Sequence, residues 1–549
     1  MRENHNRLSK VIEKTFYELV AIKSDTNTIL EKDVESYLYN WLSNIEYFQM
    51  NTENYGRYKI QKDSLERSIV WALLKGKGEK TLILLHHHDV VDAYDFGGLL
   101  KYAYSPMELQ KEMSNIEINE EAREDLFSEQ WIFGRGTADM KAGAAIQLAI
   151  IENYSKFKNF QGNLLLLSVP DEESLSVGMR GSIPLLEELK NKFNLKYTLC
   201  VNSEPHQRQE KDTGIVHEGS VGKLMPLVYI RGKKTHVGDI FQGFNPIFLQ
   251  AEIMKRTELN ENLADIAHNE MTPPPAWINF RDRKEVYDAS IPLSSGGYFT
   301  LLTLKRTPKE VINELKNICE AAFEEVIKDM NEHYSNYLKR INKIGGTLPW
   351  KTKVMTFEEI FNEAVSNGRE DFLRDYENTV NRVKDEIECG KINMPESNFL
   401  LIEKVLEYND LSPKVVIAFS PPYYPHISNR DFNNVDMKVA DLSKEINTFT
   451  SKQWGEKYTK QEYFMGISDM SYMAIKEEEK IIDCIESNMP LWEKVYYIPF
   501  ENMKNISMPA INIGPWGKDL HKITERVYSK DLFERTPDII QHVIEYILT

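Results

Sequence analysis

The sequence predicts an α/β protein, a sheet whose strands alternate with helices, interrupted by a second, smaller α+β domain. Two observations carry this. Strand-length apolar runs alternate with amphipathic stretches through the first 212 residues, as strands buried on both faces between covering helices require. From about residue 213 the runs look half-buried and lead into one long helix with a single apolar stripe, the mark of a smaller mixed domain.

In chain order, residues 8–22 and 31–42 space their apolar members as amphipathic helices. Ser68 to Leu74 and Thr81 to Leu85 then read as strands, and Asn163 to Val169 as a strand buried on both faces, which suits a parallel sheet. Helical patterns over 141–156 and 182–193 alternate with them, and Tyr197 to Val201 is a further strand. Lys223 to Arg231 and Tyr298 to Leu304 are the half-buried strands. The long helix starts at Pro308, its stripe made by Val311, Leu315, Cys319, Ala322 and Val326. Residues from about 330 to 412 look like a helical insertion, and Val415 to Phe419 like the strand that closes the domain. The expected division is therefore 1–212 and 428–549 for the first domain and 213–427 for the inserted one.

At 549 residues the chain exceeds what one hydrophobic core usually supports, and with 42% hydrophobic and 28% charged residues it should fold as a globular protein. No run reaches the roughly 18 apolar residues of a membrane span, and the four cysteines form no metal-like spacing. A cytoplasmic protein with reduced thiols and no membrane partner is expected. The net charge of −17 argues against a nucleic-acid surface and leaves small molecules or peptides as substrates.

Polar clusters stand just past the expected strand ends, where α/β sheets gather their sites. His86-His87-His88-Asp89 follows one strand. Side chains two apart share a face, so His87 and Asp89 point together, either as a polar loop or as an imidazole with an orienting carboxylate. Asp139 lies in the glycine-punctuated turn 134–143 and either caps the helix that follows or faces a site. Asp171-Glu172-Glu173 places adjacent acids at the end of a buried strand, where they repel unless a cation or a shared proton compensates. Glu204 ends another strand. His521, with Glu525 four residues on, is on its own as well read as an exposed loop histidine. Together these N and O donors suit zinc or another divalent ion able to activate water.

Five motifs in order, His87-x-Asp89, Gly134-Arg-Gly-x-x-Asp139-Met-Lys141, Asp171-Glu172-Glu173, Ser203-Glu204-Pro205 and His521-x-x-x-Glu525, resemble the acetylornithine deacetylase, succinyl-diaminopimelate desuccinylase and glutamate carboxypeptidase family of two-zinc hydrolases. The chain's length, its insertion and the His-His-His-Asp variant look most like a branch tied to arginine use. The resemblance implies a three-layer, zinc-peptidase-like catalytic domain with a ferredoxin-like lid that also makes a homodimer. It implies two divalent ions, zinc first with cobalt or manganese as alternatives. Asp139 would bridge them, with His87 and Glu204 completing one site and Glu173 and His521 the other. Glu172 is then the general base, Asp89 orients His87, and His236 in Thr235-His236-Val-Gly238 polarises the scissile carbonyl. Arg306 and Asn245 are the expected substrate-binding residues, a plain surface arginine being the alternative for Arg306.

The sequence departs from the family pattern at His86, Asp92 and Asp239, and in Gly466-Ile-Ser-Asp469 it lacks the second glycine and the arginine of the family's matching loop. The function implied is metal-dependent hydrolysis of amides in small amino-acid derivatives. A dipeptidase or carboxypeptidase is the rival within enzymes, and a non-catalytic metal-binding protein acting through its insertion is the rival outside them.

Overall fold

The computed structural model describes residues 2–549 apart from Lys158, Gln209, Asn434 and Glu477, with side chains described outside residues 2–6 and 478–480. Contacts divide the chain into two units. One comprises residues 1–221, 425–476 and 499–549, the other 222–424 and 477–498.

The first unit is built on an eight-stranded sheet in the order Tyr55–Lys59, Ser68–Lys75, Gln161–Val169, Lys77–His87, Lys196–Asn202, Ala510–Asn512, Thr213–His217, Lys457–Gln461. Its centre is parallel: Lys77–His87 lies between Gln161–Val169 and Lys196–Asn202, and Ala510–Asn512 continues the direction. The carboxyl ends of these four strands therefore share one rim. One face is covered by the helices Arg2–Ala21, Lys141–Tyr154 and Thr536–Leu548, whose apolar stripes meet Val70, Leu82, Leu84, Leu164, Leu166 and Val201. Helix Val177–Phe193 packs on the other face. The result is a three-layer α/β fold.

The sheet is mixed, however. Strand Ser68–Lys75, whose direction its apolar run leaves open, is antiparallel to Gln161–Val169, with Val70 opposite Ser168. Burial on both faces produces the same unbroken apolar pattern whichever way a strand runs. The reversal brings the start of this strand, not its end, to the rim that carries the acids.

The second unit holds a mixed sheet in the order Ala276–Asp282, Ser294–Thr303, Pro226–Arg231, Lys414–Phe419, Val354–Thr356. The expected strand Lys223 to Arg231 is two, Gly222–Leu224 and Pro226–Arg231, both paired with Ser294–Thr303. Helix Pro308–Arg340 starts at a capping box, in which Thr307 and Glu310 satisfy each other's backbone N–H groups. It runs past the expected start of the insertion at 330.

The insertion is not purely helical. It contributes the edge strand Val354–Thr356, parallel to Lys414–Phe419, before helices Phe357–Glu388 and Met394–Leu406. Their apolar faces, with Phe372, Phe399 and Ile402, bury Leu227, Tyr229, Val416 and Ala418 of the sheet. Leu491 joins this core, so residues 477–498 belong with the second unit, not with the first as the sequence suggests. Among the described residues no helix is long and apolar enough to cross a membrane.

Gly143 shows how tightly the site is framed. A Cβ there would stand 2.4 Å from the carbonyl oxygen of Ser203 and 2.8 Å from its Cβ, on the strand end that presents Glu204. Gly143→Ala should cost about 1–3 kcal/mol, the usual range for overpacking; an unchanged urea midpoint would contradict this packing.

Candidate metal centre

The rim gathers the polar clusters from three strand ends, the turn before helix Lys141–Tyr154 and one hairpin loop. His87 closes its strand and is 2% exposed. Its Nε2 lies 3.2 Å from Asp139 Oδ1, 3.3 Å from Glu204 Oε1 and 4.0 Å from Glu172 Oε2. On the far side His521 Nε2 lies 3.1 Å from Asp139 Oδ2 and 3.1 Å from Glu173 Oε2. The two oxygens of Asp139 thus face two different histidines. His87, Glu172 and Glu204 offer ligand atoms within 4.8 Å of one another, and so do His87, Asp139 and Glu173.

Local structure explains each placement. Gly136 in the turn before Asp139 has φ +74 and leaves no room for a Cβ beside Val90. Asp139 does not cap the following helix: the residue at the cap is Met140, with no side-chain bond to the helix N-terminus, and the Asp139–Met140 peptide is cis. Glu525 holds the turn from the other side, its Oε1 accepting the N–H groups of Ala138 and Asp139 at 3.1 and 3.3 Å while Oε2 pairs with Arg135 at 2.8 Å. His521 and Glu525 lie in the loop between strands Gly517–Lys518 and Arg526–Tyr528, and the latter pairs with Trp131–Phe133 just ahead of the turn.

Asp89 meets both His87 and the loop that carries the acids. The nearest acceptor to His87 Nδ1 is the Asp89 carbonyl at 3.0 Å, with the carboxylate at 3.5 Å. The carboxylate oxygens accept instead from the backbone N–H groups of Glu172 and Glu173, each at 3.1 Å. His86 and His88 face away from this cluster, His86 toward Gln147 at 2.9 Å and His88 toward Ser168 at 3.0 Å. Burial lowers them to about 4 and about 3, so both are neutral.

The electrostatics show a site short of positive charge. Burial, with the charge of Asp139, pushes Glu173 up to about 7 and Glu204 up to about 8. Burial also raises Glu172 well above the carboxylate range; His87 opposes this, and Glu204, Asp469 and Glu173 add to it. Asp469 itself is pushed up to about 7 by burial. Bonds to Asp139 and Glu173 raise His521 to about 11, and although burial works against its charge, Glu204 and Asp139 hold His87 well above its ordinary value. Glu172, Glu173, Glu204 and the two imidazoles retain protons on the atoms that would donate lone pairs to a cation, whereas Asp139, although buried, is held below the usual carboxylate range by its bonds to His521 and His87. Imidazole nitrogen and carboxylate oxygen are the donors zinc and its neighbours take, so the residues fit divalent metal.

The other expected residues lie in the second unit. His236 is exposed and caps the short 3₁₀ helix Val237–Gln242, its Nδ1 accepting from Gly238 N–H at 3.1 Å. Asn245 caps helix Pro246–Thr257 by accepting from Ile247 N–H. Arg306 pairs with Glu314 at 2.9 Å and donates to the carbonyls of Leu263 and Asn262, so its guanidinium is engaged within its own unit.

Sequence reasoning missed Gln147, which donates to Leu85 O and Ser203 Oγ at 2.8 Å each and so ties together the strand ends that carry His87 and Glu204. An amide in an otherwise apolar helix face was the available signal.

This constellation on a three-layer α/β fold is that of a metallopeptidase. The model for the peptidase family M20/M25/M40 matches residues 119–544, and the chain belongs to that family, whose members hydrolyse amide bonds. Protein RocB of Bacillus subtilis is 30% identical over 551 residues, covering 99% of this chain and 96% of that protein. The uncharacterized protein YqjN of the same organism is 33% identical, covering 96% and 95%. A succinyl-diaminopimelate desuccinylase of Buchnera aphidicola is 33% identical over 32% of this chain and 41% of its own. Aminopeptidase PepT of Bacillus cereus shares the fold with a TM-score of 0.52 at 13% identity, over 98% of this chain and 99% of its own.

The stability that the acids and imidazoles of this centre contribute to metal-free protein should fall as pH rises from about 4.5 to about 8, whereas buried His86 and His88, neutral in the folded state, act the other way below about 6.5. Glu173 and Glu204 bind protons more tightly folded than unfolded, so their contribution is present in acid and lost on ionisation, and the raised histidines act in the same direction above 6.5. Bound zinc needs the ionised acids, so the gap in melting temperature between zinc-loaded and chelator-treated protein should widen from pH 5.5 to pH 8. A gap that narrows would contradict this.

Proposed function

We propose that the chain is a two-metal amidohydrolase that releases the amine or amino acid from a small amino-acid derivative. One observation carries the reading: Asp139 turns one carboxylate oxygen to His87 and the other to His521, the arrangement a carboxylate bridging two cations would need. His87 and Glu204 would hold one ion, Glu173 and His521 the other. Bound ions of this kind polarise a carbonyl and bring the pKa of water toward about 7.

Glu172 stands 4.0 Å from His87 and within ligand distance of the His87–Glu204 pair. Its burial favours the protonated form, so it can take a proton from the attacking water, hold it, and deliver it to the leaving amine. His236, the carbonyl-polarising residue that the family resemblance implies, accepts from Gly238 N–H through Nδ1 and so keeps Nε2 available as a donor. Zinc is the first candidate, and a cytoplasmic homodimer formed through the second unit is part of the same proposal.

N-deacylation is favoured by the desuccinylase relatives, and an arginine- or ornithine-derived substrate by the branch resemblance alone. A dipeptidase would use the same residues and differ in which side of the amide is recognised. The test is zinc-loaded protein on a panel of N-acyl amino acids and dipeptides that includes arginine and ornithine derivatives. Glu172→Ala should lose roughly 10²–10⁴-fold in kcat on whichever compound turns over, with two metals still bound. Loss of metal in that variant would reassign Glu172 as a ligand, and silence across the panel with metal bound would favour the non-catalytic reading.

A further inference from the structure

We propose that Arg67, which lies outside every motif, is a positioning residue that sets the loop carrying Glu172 and Glu173; the proposal rests on the reading of Glu173 as a metal ligand. Arg67 stands immediately before strand Ser68–Lys75. Because that strand runs antiparallel to Gln161–Val169, Arg67 arrives at the catalytic rim next to Asp171.

The guanidinium is buried and fully directed. Nε and Nη2 fork onto Asp63 at 3.0 and 2.9 Å, and Nη1 donates to Glu31 at 2.7 Å and to Asp171 Oδ1 at 2.9 Å. Asp171 is the hinge of the acid loop. It adopts the left-handed conformation with φ 70, and Ser176 at the loop's far end does so with φ 50. Non-glycine residues hold such angles only where their surroundings over-determine them.

Asp171 closes the loop on itself: its carbonyl accepts from Ser176 N–H at 2.7 Å, and its Oδ2 from Val177 N–H at 3.1 Å. From the opposite side Asp89 holds the backbone N–H groups of Glu172 and Glu173. The two acids therefore sit in a loop clamped by Asp89 on one side and by the Arg67–Asp171 pair on the other. A lysine would keep the charge without the planar fork that reaches Asp63, Glu31 and Asp171 together.

The test is calorimetric titration of the metal-free full chain with zinc alone. Arg67→Lys should weaken the zinc site that Glu173 would complete by about 10–100-fold, the range found when partners behind metal ligands are removed. In a Glu173→Gln background, where the loop's ligand is already gone, the same substitution should cost no further affinity. A merely structural role would lower the melting temperature without this non-additivity.

Zinc affinity unchanged by Arg67→Lys, or weakened equally in both backgrounds, overturns the proposal while leaving the metal centre intact. Zinc binding unchanged by Glu173→Gln overturns the ligand assignment and this proposal with it. Should Arg67→Lys fail to fold, Asp171→Asn is read by the same titration and the same criteria.

Discussion

Mutual repulsion among Asp139, Glu172, Glu173 and Glu204, gathered in a pocket largely closed to water, is the constraint that the surrounding structure answers. Carboxylates at such spacing cannot all ionise without compensation, and two imidazoles are too few to neutralise four acids. The fold holds these donors together and bears the cost of their repulsion, which a bound cation would relieve.

The supports are charged and distant in sequence. Arg135 with Glu525 holds the turn that presents Asp139. Arg67 with Asp171 holds the loop that presents Glu172 and Glu173. Buried arginine pairs of this kind contribute little net stability, yet losing one partner leaves an uncompensated charge inside the protein. Their worth lies in geometry, since a fork onto a carboxylate fixes direction as well as distance. Gln147 serves the same end without charge, bonding to two neighbouring strand ends from one side chain.

In the second unit, the insertion solves a packing problem. A sheet with helices on one face only would leave Leu227, Tyr229 and Val416 in water; helices Phe357–Glu388 and Met394–Leu406 cover them. The apolar stripe of the insertion is thus consumed by its own domain. Leu491 completes that core from a segment far along the chain, which is why composition gave no warning that residues 477–498 leave the first unit.

The sequence by itself determined the α/β class and singled out the acids and imidazoles at strand ends that the structure brings together, because alternation along a strand and motif spacing are local properties of the chain. His87 and Asp89, the Asp171-Glu172-Glu173 run and Glu204 could be placed on one rim from a parallel centre alone. The tertiary structure decided what local spacing cannot encode. Strand direction is invisible in an unbroken apolar run, so Arg67 could not be brought to the rim from sequence. The two oxygens of Asp139 meet histidines 52 residues before and 382 residues after it, and Glu525 meets Arg135 across 390 residues. Such partnerships are set by pairing direction and helix docking, which leave no periodicity in the chain, and on them depends whether a set of acids becomes a metal centre.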